Sequence, residues 1–361
     1  MNSIEVSDTF AQHKTSPPFP DGVPFVPLLR ISLLKLLTDD EKESKRLYAA
    51  CKDLGFFYLD LEGSSKGQSI LEDANKLFSV GEQLFDLELE EKQSYEFSGQ
   101  KSYYGYKGYG TSIIDKTGIL DRNEFYNVSK DDILGLSEPL PCPTVLKRQK
   151  VLLRSYMVSA HAIVCLLLEH LNRHLKLPPS KLASLHRLYK ASGDQVRFVK
   201  APQQPLDDRR TALGEHTDFG SVTVLFNRLG GLQVLPPGEG AKWCYVKPLP
   251  GHCIINLGDA MVKFTNGLLR SNIHRVVSPP GLQAEHTRYS LVYFARPEDD
   301  VLLKRLDSPM IPPPADGETE EVVNSKDWIT RRAISKRVGV FKEEEWERNQ
   351  GTERISARSL M

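Results

Sequence analysis

Between Gln195 and Pro297 short runs rich in β-branched and aromatic residues alternate, at fairly even spacing, with turns carrying Gly or Pro. The runs are 196–199, 221–226, 231–235, 243–246, 253–257, 273–277 and 288–294. Strands so short, with so little chain between them, favour antiparallel pairing over parallel strands joined by crossover helices. The spacing therefore predicts a sandwich or barrel rather than βαβ units.

The chain before this region has helical periodicity. Thr38-Asp39-Asp40-Glu41 reads as a capping box that opens a helix running to about Leu54, which Gly55 stops. Residues 24–28 read as an extended segment, 56–59 as a strand and 68–85 as a second helix. Residues 103–110 alternate Tyr and Gly and read as loop or irregular strand. A long third helix is expected over 145–175, with Leu152, Tyr156, Ile163, Val164, Leu167 and Leu171 as its core-facing stripe. Beyond Arg296 the chain turns polar, with a basic helix expected over 328–338 and a charged tail over 342–349.

Composition narrows the functional classes. Lys plus Arg equals Asp plus Glu at 47 each, so no net field points to nucleic acid or an anionic membrane as partner. The longest apolar run, near 162–168, is too short to span a bilayer, and residues 1–20 lack a signal peptide's apolar stretch. Five cysteines, an odd number with no CxxC pair, argue against a disulfide framework and a thiolate zinc site. A reduced, cytoplasmic location is expected, in which the sequon at 127–129 stays silent.

His216-Thr217-Asp218 is the one His-x-Asp in the chain. In an extended segment, residues two apart share a face, so imidazole and carboxylate can converge on one ion. Two His and one carboxylate on one face of an octahedron suit non-haem Fe(II), because three positions stay open. Of nine His, His13 falls in the N-terminal arm, while His161, His170, His174 and His186 fall on or just past the long helix. The candidates for third ligand are His252, His274 and His286, of which His274 lies within a predicted strand. Arg288 and Ser290 are also two apart, and an Arg fork beside a hydroxyl suits a carboxylate.

Together these residues resemble the isopenicillin N synthase-like family of Fe(II)- and 2-oxoglutarate-dependent dioxygenases. The matching stretches are 214–220, 230–234, 256–259, 271–276 and 288–290, with looser matches at 24–28, 50–57, 105–106 and 123–125. The resemblance covers roughly 24–297; the tail around 328–332 and 351–353 is similar to fungal members that build secondary metabolites. It implies a mainly β fold with flanking helices and a double-stranded β-helix (jelly-roll) core. Residues and resemblance together divide the chain into a flexible arm at 1–23, a helical and mixed leader at 24–145, a supporting helix and linker at 146–191, the core at 192–297 and a helical tail at 298–361. It also implies His216, Asp218 and His274 as Fe(II) ligands, and Arg288 with Ser290 on the distal carboxylate of 2-oxoglutarate.

The implied reaction consumes O2 and 2-oxoglutarate, releases succinate and CO2, and oxidises a C–H bond of a small organic molecule by hydroxylation, desaturation or ring rearrangement. The substrate would be a secondary-metabolite intermediate, with Tyr106, Phe125 and Phe294 as candidate walls of its pocket. One departure stands out: plant members carry Asn-x-Tyr-Pro where this chain has Val199-Lys200-Ala201-Pro202. Strand alternation puts Arg197 on the face of Val199 and Ala201, which makes it a further candidate for binding 2-oxoglutarate or a substrate oxygen. The altered pair keeps open an Fe(II)/O2 oxidase of this fold that does not use 2-oxoglutarate; a separate alternative is a non-catalytic jelly-roll that binds a small ligand.

Overall fold

The computed structural model describes residues 16–100, 102–205, 211–315, 317, 321–342 and 351–352. The strands that matter, in chain order, are β1 (Arg30–Ser32), β2 (Phe56–Asp60), β3 (Gly105–Lys107), β4 (Glu124–Ser129), β5 (Gln195–Ala201), β6 (Leu213–His216), β7 (Val222–Asn227), β8 (Leu232–Val234), β9 (Cys244–Tyr245), β10 (His252–Leu257), β11 (His274–Val276) and β12 (Arg288–Ala295). The major sheet runs β1-β2-β10-β7-β12-β5-β4-β3, and a smaller one runs β6-β11-β8-β9. Strands β5 to β12 thus divide between the two sheets, alternating except for the neighbours β8 and β9, which share the smaller one, as in a jelly roll.

Helices α1 (Glu41–Asp53), α2 (Ser65–Phe85) and α3 (Lys150–His174) flank this core, with α2 and α3 packed on β12. By length and composition α3 could cross a bilayer. Its buried stripe, from Leu153 and Tyr156 through Leu171, faces the protein core instead. Strand β2 is apolar on both faces because both faces are covered. Phe57 and Leu59 join the core under the helices, whereas Phe56 and Tyr58 join the core between the sheets with Leu232, Val234 and Ile254. Each such side chain contributes roughly 1.5–3 kcal/mol on burial.

Three sequence expectations change. The residue that caps α1 is Asp40, whose carboxylate accepts from Glu43 N at 2.8 Å. Thr38 instead closes a short helix, Leu33–Leu37, and Asp39 turns the chain at φ +60° between the two. A seven-residue helix that the sequence pattern does not predict, α4 (Asp259–Thr265), interrupts the β-rich region. The basic helix begins earlier, as α5 (Ser325–Ile334). Part of the N-terminal arm packs on the core: Gln283 donates to Pro17 O at 2.9 Å, and Phe19 meets the Tyr245 ring edge-on. Residues 1–15, and the charged tail beyond Lys342, lie outside the described residues.

Candidate metal centre

His216 ends β6, His274 begins β11, and the two are cross-strand partners. Their rings lie 4.3 Å apart. Each ring is fixed by its own backbone: His216 Nδ1 donates to Gly214 O at 2.8 Å and His274 Nδ1 to Asn272 O at 3.1 Å. Those bonds set the tautomer that leaves both Nε2 atoms as lone-pair donors. Asp218 lies just past the end of β6. Its Oδ1 faces the two Nε2 atoms at 3.8 and 3.9 Å, too far for hydrogen bonds. Its Oδ2 is occupied, accepting from Thr223 Oγ1 at 2.6 Å and Asn256 Nδ2 at 2.7 Å.

Two nitrogens and one oxygen therefore surround a common gap, all within 4.8 Å of one another. Among the described residues no other His, Cys, Asp or Glu trio does so. Burial and the neighbouring His274 press His216 well below its ordinary value, which keeps it neutral as metal binding requires. Burial pushes Asp218 up, but His274, His216 and the donors Asn256 and Thr223 outweigh it and hold the carboxyl below its ordinary range. The donor set fits Fe(II).

Helix α4 fixes the ligand loop. Asp259 N donates to Asp218 O at 2.7 Å, and Ala260 N to Gly220 O at 3.1 Å. The contact is close enough that a Cβ on Gly258 would come within 2.3 Å of Gly220 O.

The same cavity reaches β12 and β5, where Arg288 pairs with Ala201, Ser290 with Val199 and Val292 with Arg197. Arg288 is 3% exposed. Its Nε donates to Gly230 O at 2.7 Å and its Nη1 to Ser290 Oγ at 2.5 Å. Burial lowers it to about 10, and among the described residues no carboxylate pairs with it. A buried guanidinium without a counter-ion is costly, and a bidentate carboxylate is its best partner. The two apolar replacements, Val199 and Ala201, stand directly opposite this anchor. Arg197 lines the cavity as strand alternation predicts, with Nε donating to Asn127 Oδ1 at 2.7 Å.

Residues 192–297 match the model of the 2OG-Fe(II) oxygenase superfamily, and residues 26–144 match the N-terminal model of the non-haem dioxygenases in morphine synthesis. A 2-oxoglutarate-dependent dioxygenase of Aspergillus fumigatus is 34% identical over 351 residues, spanning 91% of this chain and 89% of the relative. The chain belongs to the 2OG-Fe(II) oxygenase superfamily. Another relative, the 2-oxoglutarate-dependent dioxygenase gloE of Glarea lozoyensis, is 32% identical across 79% of the oxygenase and 84% of its own length. Of solved structures, a full-length Neurospora crassa protein in complex with alpha-KG and 5-formyluracil superposes with a TM-score of 0.71 at 21% identity, covering 88% and 98% of the two chains. JOX2 in complex with 2OG, Fe and JA gives 0.68 at 20% identity, covering 96% and 98%. At those identities the likeness is one of fold.

The rival histidines of the oxygenase lie elsewhere. His252 accepts from Arg30 Nε at 3.0 Å, and His286 is exposed in its loop. Phe125 and Phe294 line the cavity, but Tyr106 does not. Tyr106 is buried in the core, and its hydroxyl donates to Glu124 Oε2 at 2.7 Å. The alternating Tyr-Gly pattern carried no sign of that distant partner. Sequence reasoning also missed the supports of the centre: Thr223, Asn256 and Asp259 lack any local signature of their roles. The stretch 256–259 matched the family as a string, but the string does not reveal which ligand it braces.

Proposed function

We propose that His216, Asp218 and His274 hold Fe(II) in this oxygenase, and that Arg288 with Ser290 receives the distal carboxylate of 2-oxoglutarate. The substrate is a small organic molecule, a secondary-metabolite intermediate, oxidised at a C–H bond by hydroxylation, desaturation or ring rearrangement. The observation that carries the reading is the single free oxygen of Asp218, aimed with two fixed imidazole nitrogens into one gap. Bound there, Fe(II) supplies the centre at which O2 is reduced while 2-oxoglutarate is oxidatively decarboxylated to succinate and CO2 and the substrate is oxidised.

The protein's own contribution is orientation and exclusion of water. Thr223 and Asn256 occupy one carboxylate oxygen of Asp218 and so restrict it to donating through the other. Val199, Ala201, Leu225 and Leu232 wall the cavity with apolar surface, which strengthens the pairing of Arg288 with an incoming carboxylate. The five reduced cysteines suit the same reading, in a cytoplasmic setting.

Supplying purified protein with Fe(II), 2-oxoglutarate and 18O2 tests the assignment. Succinate carrying one 18O atom is expected. Consumption of O2 with no succinate would favour the oxidase that does not use 2-oxoglutarate.

A further inference from the structure

The cavity holds more positive charge than iron and co-substrate account for. Its lining carries Arg197, Arg288, Arg296, Arg332 and Lys336 against Asp121 and Asp218. Asp121 is paired with Lys107, and Arg332 with Asp259. If Fe(II) sits on the His216–Asp218–His274 group, its two charges are balanced by Asp218 and by the keto-acid carboxylate of 2-oxoglutarate. The distal carboxylate then neutralises Arg288. Lys336 has an interaction of its own; Arg197 and Arg296 remain, with no carboxylate partner among the described residues.

Arg197 is built to hold its position. Its guanidinium carbon lies 4.0 Å from the Phe125 ring centroid and 5.0 Å from that of Phe294. Asn127 fixes Nε, which leaves the two terminal nitrogens without a protein partner among the described residues. Arg296 lies 5.7 Å from the same Phe294 ring and 5.1 Å from that of Tyr103. Two guanidinium groups thus meet around one phenyl ring, where like charges raise each other's cost until an anion arrives. Arg197 stands four strand positions from the Arg288–Ala201 pair, roughly 13 Å at the usual rise per residue. The two arginines therefore leave their strands at well-separated points of the cavity wall.

We infer that the substrate of this oxygenase is a carboxylic acid whose carboxylate is bound by Arg197, with its apolar body against Phe125, Phe294 and Val292. The inference rests on the Fe(II)/2-oxoglutarate reading, but its test is separate. Full-length protein loaded with Mn(II), with and without 2-oxoglutarate, is taken to equilibrium dialysis against phenylacetate, cinnamate and cyclohexylacetate, each paired with its primary carboxamide. The acids are expected to bind at least tenfold more tightly than the amides. Arg197→Leu should remove that preference and leave 2-oxoglutarate affinity within about twofold, and Arg197→Lys should restore part of it. Loss of 2-oxoglutarate affinity in Arg197→Leu, with acid binding unchanged, would overturn the inference. So would equal binding of acids and amides, or no acid binding at millimolar concentration. Failure of the wild type to bind 2-oxoglutarate would count against the co-substrate reading alone, since acid binding is read without it.

Discussion

Thr217, the residue between the ligands His216 and Asp218, donates its hydroxyl to Asp259 Oδ2 at 2.9 Å. The same buried carboxylate accepts from Arg332 Nη1 at 2.9 Å and from Thr352 Oγ1 at 2.8 Å. A Cβ on Gly351 would collide with Thr217. Asp259 therefore ties helix α5 and the C-terminal segment to the loop that carries the metal ligands.

Removing that carboxylate leaves the buried Arg332 without its ion-pair partner. Asp259→Ala is expected to cost about 3–5 kcal/mol of stability, read by denaturant unfolding. Metal affinity should fall roughly tenfold to a hundredfold, as losses around a ligand do, read by titration of the folded variant. Thr352→Val removes one hydrogen bond and should cost about 1 kcal/mol. Equal effects of the two variants would show that Asp259 acts through nothing beyond its contact with Thr352.

His216→Ala, Asp218→Ala and His274→Ala should each lose bound metal and succinate formation while circular dichroism stays native. His252→Ala should match the wild type, because His252 is engaged with Arg30 away from the centre. Retained metal in His274→Ala with loss in His252→Ala would move the third ligand.

The position of His274 shows where the sequence was informative. The His-x-Asp spacing and the Arg-x-Ser pair are local patterns, so both were readable from the chain alone. The residues by themselves left His252, His274 and His286 open, with only the predicted strand and the family resemblance favouring His274, because the pairing of His216 with His274 depends on cross-strand register between β6 and β11. Asp259 and Thr352 are 93 residues apart, and their hydrogen bond leaves no trace in either neighbourhood. Tyr106 was misplaced for the same reason: its partner Glu124 sits on the next strand. The β-rich core was legible because each strand shows its own alternation and turns, whereas α4 is too short for a helical period to emerge.

Arg288→Ala should raise the KM for 2-oxoglutarate about tenfold to a hundredfold, the loss of a charge-assisted contact of roughly 1.5–3 kcal/mol. Metal content should not change, since Arg288 touches Gly230 and Ser290 and none of the ligands. An unchanged KM would remove it as the anchor.

Away from the centre, His161 sets a pH dependence. Burial works against its charge, but hydrogen bonding to Asp194 and Cys165 holds it up to about 9, while Asp194 is held down to about 2. The raised His161 contributes stability that is fully present below its ordinary value of 6.5 and lost as pH rises through about 9. The stability gap between wild type and His161→Gln, on the order of 2–3 kcal/mol near pH 6, should therefore shrink between pH 7 and 9. A gap independent of pH would mean that His161 is neutral in the folded protein.

A crystal structure of the full chain with Mn(II) and 2-oxoglutarate tests the central claim most directly. It should show one metal bound by His216 Nε2, Asp218 Oδ1 and His274 Nε2, with the distal carboxylate of 2-oxoglutarate on Arg288 and Ser290. Metal at any other histidine, or that carboxylate on Arg197 with Arg288 left bare, would contradict it.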